Sequence, residues 1–353
     1  MSKQSKGPIR VGIVGLGRAG WGMHRAELAG KEEKFRVVAA CDRIEDRLSS
    51  AAAEWGCRTY SGIEQLIADA DVELVDLAHR SCDHYGDALK ALRAGKMVLV
   101  EKPMSLTYTQ ARRLQRASEK GPGRLFVRHN RRFDPDFLHV REIIESGLLG
   151  DVYAVKLSRL HYSRRDDWQT ILRFGGGQLL NWGPHVIDHA LQLLGSPVKT
   201  QWSELKRVAA AGDAEDYVRI MLTGQTGRVV EIEINGGSAL GGPVYLVCGT
   251  RGALSCDCQN IRIRHLDPGR KLAPRKADPR TPEGGYGSPD ELLWVEQAIP
   301  VAPKKRTDIW DELYAAIRKG RRFPVRLEQA VEVMRVISAA KKGTRFEVGA
   351  ERR

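Results

Sequence analysis

Residues 9–15, IRVGIVG, alternate branched apolar side chains with glycine and read as a buried strand. The strand runs directly into Gly15-Leu16-Gly17-Arg18-Ala19-Gly20 and then the helical pattern WGMHRAEL. In a chain with 36 glycines a lone GxGxxG carries little weight. Here strand, glycines and helix come in the order a dinucleotide-binding turn requires. The next strand-like run, FRVVAACD, ends on Asp42, at about the twenty-residue spacing of a ribose-binding carboxylate.

Each residue in that turn has a physical task. Gly15 permits the tight bend, Gly17 lets the backbone approach a pyrophosphate, and Gly20 lets helix and strand pack closely. Leu16, Arg18 and Ala19 complete the cradle at a helix N-terminus, whose partial positive charge faces the phosphates. Asp42 would accept hydrogen bonds from a ribose diol and repel a 2′-phosphate, which favours NAD. Arg43 beside it can pair with that phosphate or lie on the adenine, so NADP is the alternative.

Strand-like VELVDLA (72–78), a helix over 84–94 and the strand KMVLVE (96–101) continue the pattern. Alternating strands and helices predict an α/β, doubly wound parallel sheet. Its last strand ends at Glu101-Lys102-Pro103, and ligands bind outside the carboxyl ends of such strands. Lys102 therefore lies beside the cofactor crevice, the plainer alternative being a surface lysine.

After GPGR (121–124) the pattern changes. Segments rich in Val, Ile and Tyr at 216–222, 228–235, 244–249 and 253–257 predict an α+β domain with a large, mostly antiparallel open sheet. The expected domains are 1–125 and 126–353. Two amphipathic helices close the chain, broken at Phe323-Pro324, and can pack back on the first domain.

The stretch GGGQLLNWGPHVIDH (175–189) gathers Asn181, His185, Asp188 and His189. Pro184 favours a first helical turn, which puts His185 at a helix N-terminus, where the dipole disfavours imidazolium. Asp188 and His189 follow on the same face. Three readings compete. HVIDH resembles a zinc-protease pattern with His185 and His189 as ligands. Asn181 and Asp188 can be caps around an interior His185. With a dinucleotide turn and a strand-end lysine upstream, the acid–base site is favoured, with no metal and His189 structural.

Charge and cysteine content narrow the class further. Net charge is +13, yet the basic residues are scattered, and runs such as Lys304-Lys305-Arg306 are short. No nucleic-acid signature accompanies them, so a solvated basic surface and no nucleic-acid partner are expected. Six cysteines show no framework spacing and no stretch suits a membrane helix, which fits a reduced, cytoplasmic protein.

Together GLGRAG, VLVEKP, NRRFDP and GGGQLLNWGPHVIDHAL resemble the Gfo/Idh/MocA oxidoreductases, from about Arg10 to Gly343. The resemblance implies a Rossmann domain, a second domain whose open sheet often forms a dimer face, and hence a homodimer or homotetramer. It implies hydride transfer between a nicotinamide cofactor and a secondary hydroxyl of a sugar, cyclitol or derivative. Lys102 matches the lysine that contacts the reacting oxygen, and His185 matches the acid–base histidine. Asn181 stands where aspartate is usual. In LAHRSCDH (77–84), Ala78, His79 and Arg80 replace a Thr-Pro-Asn-like loop under the nicotinamide, while His84 keeps its place; these and Glu101 are cofactor-contact candidates. Arg131, Arg164, Arg165, Trp168, Arg173, Asn181 and Asp188 are substrate-contact candidates. Adjacent Arg164 and Arg165 would suit an acidic or phosphorylated sugar. Two other functions share these residues: bond cleavage, elimination or epimerisation through a transient keto-sugar, and a catalytically weakened NAD-binding regulator.

Overall fold

The computed structural model describes residues 7–281, 287, 290–303 and 307–347; the basic run 304–306 lies outside them. Six parallel strands form the first sheet: β1 (Ile9–Val14), β2 (Phe35–Cys41), β3 (Arg58–Tyr60), β4 (Leu74–Leu77), β5 (Met97–Glu101) and β6 (Arg124–Arg128). Their order, β3-β2-β1-β4-β5-β6, reverses direction beside β1, the crevice where such sheets bind ligands. The linking helices are α1 (Arg25–Leu28), α2 (Glu45–Trp55), α3 (Ile63–Ala68), α4 (Ser81–Arg93) and α5 (Tyr108–Lys120). Helices cover both faces, which is why the strands are apolar throughout: Val11, Ile13, Leu74, Val75 and Val98 are fully buried. The expected domain boundary at 125 falls inside β6, which still belongs to this sheet.

The second layer holds α6 (Pro135–Glu145), β7 (Val152–Leu160), α7 (Gln178–Asn181), α8 (Gly183–Leu194), β8 (Val198–Lys206), β9 (Tyr217–Gly224), β10 (Val229–Asn235), β11 (Tyr245–Gly249), β12 (Gly252–Cys256), β13 (Asn260–Leu266) and β14 (Trp294–Pro300). These eight strands lie in the order β14-β13-β12-β11-β7-β10-β9-β8, antiparallel except for β7 beside β10. Strict alternation decides which face is covered. Val218, Ile220, Leu222, Val230, Ile232 and Ile234 are fully buried, and α8 packs against β10 on that side. Residues of the opposite parity pair across the outer face, as Arg219 with Glu231 (2.8 Å) and Lys156 with Glu233 (3.3 Å) do.

Two closing helices lock the layers together. On α9 (Ile309–Arg318), Trp310 is fully buried, edge-on to Phe35 (5.4 Å) and His24 (5.5 Å), and donates its Nε1 proton to Glu27 (2.7 Å). α10 (Leu327–Lys341) packs against both α5 and α8, so it touches both sheets' helical layers. Among the described residues, no helix is long and apolar enough to cross a membrane.

Candidate active site

The glycine turn is shaped by what its missing Cβ atoms would strike. A Cβ on Gly15, which has φ of +92°, would lie 2.7 Å from the His79 backbone, and one on Gly20 would lie 2.1 Å from the Gly15 carbonyl. At Gly17 the only neighbour is Arg47 Nη1 at 3.8 Å, so that face is open. An open, side-chain-free turn leading into a helix is the cradle a pyrophosphate needs, and the residues present fit a dinucleotide. The helix opens with a π-wound turn, Gly20–His24, before α1.

Asp42 ties the end of β2 to this turn. Its Oδ2 accepts from Leu16 N (2.7 Å) and its Oδ1 from Ile44 N (3.0 Å), with Arg47 Nη1 at 3.4 Å. Arg18 and Arg43 are exposed. Arg47, absent from the sequence candidates, reaches Asp42 from the first turn of α2.

Two expected cofactor contacts are committed elsewhere. His84 is buried, with Nδ1 on the Pro103 carbonyl (2.7 Å) and Nε2 on the His79 carbonyl (3.2 Å), and burial lowers its pKa to about 4. The neutral ring has a single N–H, so it donates to one of these carbonyls, the Pro103 carbonyl being the nearer. Glu101 Oε1 faces His24 Nε2 (3.0 Å) and Arg128 Nη1 (2.7 Å), and Oε2 accepts from Lys102 N (3.1 Å). Its negative charge is consumed inside the protein. Ala78 is buried under the turn, and His79 pairs with Asp87 (2.9 Å) with its backbone against Gly15.

His24 faces a carboxylate from each ring nitrogen, Asp76 Oδ2 on Nδ1 (2.6 Å) and Glu101 on Nε2. Two such partners require two N–H donors, hence imidazolium. Burial opposes that charge, but Asp76 and Glu101 outweigh it and hold the pKa up at about 9. Sequence pattern offers no sign of this, because Asp76 and Glu101 come from different strands.

Lys102, directly after β5, extends toward the second domain and donates from Nζ to the Asn181 carbonyl (3.1 Å). Burial depresses its pKa; Glu101 works the other way, and Arg131, Arg18 and Arg128 depress it further. Asn181 ends α7, and His185 follows in the first turn of α8, which opens with Gly183-Pro184, a place in the helix that the proline ring geometry favours. His185 is buried, and its Nδ1 has no partner among the described residues. Its pKa lies well below the usual histidine value, through burial first and then Lys102, His129 and Arg131. The expected direction holds, with desolvation rather than the helix dipole as its chief cause.

Asp188, expected to support His185 and to touch substrate, does neither. It is 1% exposed, and both its oxygens are held by Arg132, from Nε at 2.9 Å and from Nη2. Arg132 also reaches the Pro324 carbonyl (3.0 Å) and Gln329 (2.7 Å), so the pair anchors α8 to α10. His189 spends its ring nitrogens on the Arg131 carbonyl (2.8 Å) and the Tyr245 hydroxyl (3.0 Å) and stacks on Phe137. Neither nitrogen is left for a metal, and among the described residues no cluster of three ligating side chains occurs.

A cavity of about 240 Å³ adjoins His185, lined by Arg131, Arg159, Trp182 and Tyr245 among others. Arg164, Arg165, Trp168 and Arg173 do not line it. Arg165 is held by Asp167 (2.9 Å), Arg173 lies over Phe174 (4.6 Å), Arg164 is exposed, and half-buried Trp168 opens a short 3-10 turn. The guanidinium groups on its wall come from Arg131, among the sequence candidates, and from Arg159 on β7, which was not. Basic residues on a strand of alternating parity gave no warning, because parity alone does not say which end faces a cavity.

Known proteins share this fold. The model described as "Oxidoreductase family, NAD-binding Rossmann fold" matches residues 9–129, and "GFO/IDH/MocA C-terminal domain" matches residues 137–255. An uncharacterised oxidoreductase of Schizosaccharomyces pombe is 33% identical over 279 residues, 74% of this chain and 76% of that protein. The scyllo-inositol 2-dehydrogenase (NADP(+)) IolW of Bacillus subtilis is 28% identical over 96% of this chain and 94% of its own. An NAD-binding protein from Listeria innocua superposes with a TM-score of 0.81 at 24% identity, covering 96% of this chain and 97% of that one, which shows a shared fold.

Proposed function

The chain belongs to the Gfo/Idh/MocA oxidoreductase family, and from that premise we propose that it transfers hydride between NAD(P) and a secondary hydroxyl of a sugar, cyclitol or related polyol. One observation carries the reading. An ammonium from the first domain, Lys102, is tethered at Asn181, one turn before His185 of the second, and its charge is the largest neighbouring influence on that imidazole. A cation and a neutral base from the two domains are thus neighbours, and the glycine turn of the first domain supports a dinucleotide beside them.

The bound cofactor supplies a hydride acceptor at the nicotinamide. The chain's own residues handle the proton and the charge. His185, held neutral by burial, takes the hydroxyl proton; its Nδ1 lacks a protein partner, so a substrate hydroxyl is a group able to complete it. Lys102, as ammonium, stabilises the oxygen that becomes negative, in surroundings poor in water. The Asn181 side chain, whose carbonyl neighbour holds Lys102, offers a donor and an acceptor to an adjacent hydroxyl without adding charge. Arg47 and Arg43 beside Asp42 support use of NADP as well as NAD.

Exposed Trp202 and Tyr153 on the outer face of the eight-stranded sheet support a homodimer or homotetramer built through that face. Six unpaired cysteines support a reducing, cytoplasmic setting.

The test is absorbance at the reduced-nicotinamide band while purified protein meets NAD or NADP and a panel of inositols and hexoses. Reduced cofactor accumulating with one of them is the expected result. Product formed without it would instead assign the redox-neutral reaction through a keto-sugar.

A further inference from the structure

The groups around the 240 Å³ cavity beside His185 are unequally engaged. Arg131 is bonded to Asp134 (2.8 Å) and lies 4.4 Å from the Trp182 ring centre. Asp136 accepts from Phe137 N (2.9 Å) and bonds the Cys258 thiol. The Tyr245 hydroxyl is taken by His189. Arg159 differs from all of these. Its guanidinium lies 3.7 Å from the Trp182 ring centre, and among the described residues no carboxylate or carbonyl is bonded to it.

A guanidinium held over an indole face is positioned by that contact, which leaves its N–H groups free to donate at the rim. That edge matches a carboxylate through two parallel hydrogen bonds. Burial and the Arg131 charge disfavour the Arg159 cation, with Asp136 acting only through space in its favour, so an incoming anion would relieve an existing cost. A phosphate dianion would call on a second free cation, but the Arg131 guanidinium is already engaged by Asp134. The unspent capacity of the wall is a single planar fork of donors.

We propose that the substrate is a polyhydroxy acid, of the uronate or aldonate kind, whose carboxylate is clamped by Arg159 on its Trp182 platform while the hydroxyl to be oxidised sits at His185. This rests on the hydride-transfer reading and adds the substrate's charge to it. Arg159 then decides specificity by differential binding: a neutral analogue leaves the fork unfilled, and sites built to bond a polar group reject analogues lacking it strongly.

The experiment compares D-glucuronate with D-glucose and D-galacturonate with D-galactose, with glucose 6-phosphate as a third arm, by reduced-cofactor formation and by calorimetric binding to the cofactor-loaded enzyme. The acids are expected to exceed their neutral partners in kcat/KM by at least about fiftyfold. Arg159→Met should shrink that ratio by a similar factor, chiefly through KM, and Arg159→Lys should recover part of it. Neutral sugars turned over as well as the acids, or a phosphate ester preferred to both, overturns the carboxylate clamp and leaves hydride transfer standing. No binding and no turnover of any arm overturns both.

Discussion

Lys102 Nζ is bonded to the main-chain carbonyl of Asn181, 3.1 Å away, and not to that residue's side chain. The contact bridges the two domains, because Lys102 leaves the parallel sheet and Asn181 ends the short α7 of the second layer. A backbone acceptor is indifferent to the side chain that accompanies it. The exchange of the family's usual aspartate for asparagine therefore keeps the lysine's anchor and removes only a charge.

Restoring that charge has a definite sign. In Asn181→Asp, a carboxylate beside Lys102 and His185 favours the protonated form of both. In the native protein His185 stays neutral to well below pH 6.5, so kcat/KM for alcohol oxidation should be flat across that region. The variant's acid limb should move upward by about one pH unit or more. Unchanged limbs would mean that residue 181 does not face the reacting groups.

Lys102→Ala and His185→Ala should each lower kcat by about a hundredfold or more, as lost oxyanion and base groups do. Cofactor affinity, measured by fluorescence titration with the reduced dinucleotide, should change by less than about threefold, since the cradle lies at Gly15–Gly20. Normal turnover in either variant removes that residue from the mechanism.

His24 links the cofactor-binding helix to the strand that carries Lys102. Its pKa is about 9 in the fold and 6.5 in an unfolded chain, so folding binds its proton more tightly. That stabilisation, about 3 kcal/mol, is fully present below pH 6.5 and disappears as pH rises through 9. Urea unfolding of native protein and His24→Gln should differ most near pH 6 and least near pH 10. A stability gap that stays constant with pH would show His24 to be neutral in the fold.

The parts of this site read from sequence are those where chemistry is local. Gly20 meets the Gly15 carbonyl within its own turn, the GxGxxG spacing marks that turn even though Gly15 packs on the distant His79, and strand ends expose Asp42 and Lys102 by the rule for parallel sheets. Asp188 was misread because its partner, Arg132, lies 56 residues away and competes with nothing visible in the pattern. Arg165 is placed by a local partner, an acid two residues away, whereas Arg159 lies over the indole of Trp182, between α7 and α8. Periodicity reports which face of an element is buried; it does not choose among distant polar partners.

The glycine triplet shows what such a distant choice can do. Glu215 is 1% exposed and presses so closely on Gly177 that a Cβ there would lie 2.3 Å from its carboxylate. Its Oε1 accepts from Leu179 N (3.2 Å), in the first turn of α7, and faces Lys341 Nζ at 3.3 Å. Lys341 is the last residue of α10 and is itself buried, so one ion pair joins the closing helix to the segment bearing Asn181 and His185. Burial raises the Glu215 pKa, and Lys341 opposes the rise. Lys341→Met removes that opposition and leaves a carboxylate buried without a cation. Breaking such a pair costs about 3–5 kcal/mol, and replacing both partners costs much less. Lys341→Met should therefore lower both the unfolding midpoint and kcat, while Lys341→Met with Glu215→Gln should recover most of each. If the double variant is as unstable as the single one, the pair is not what holds α7 in place, and contacts such as Arg132–Asp188 and Lys102–Asn181 must do so.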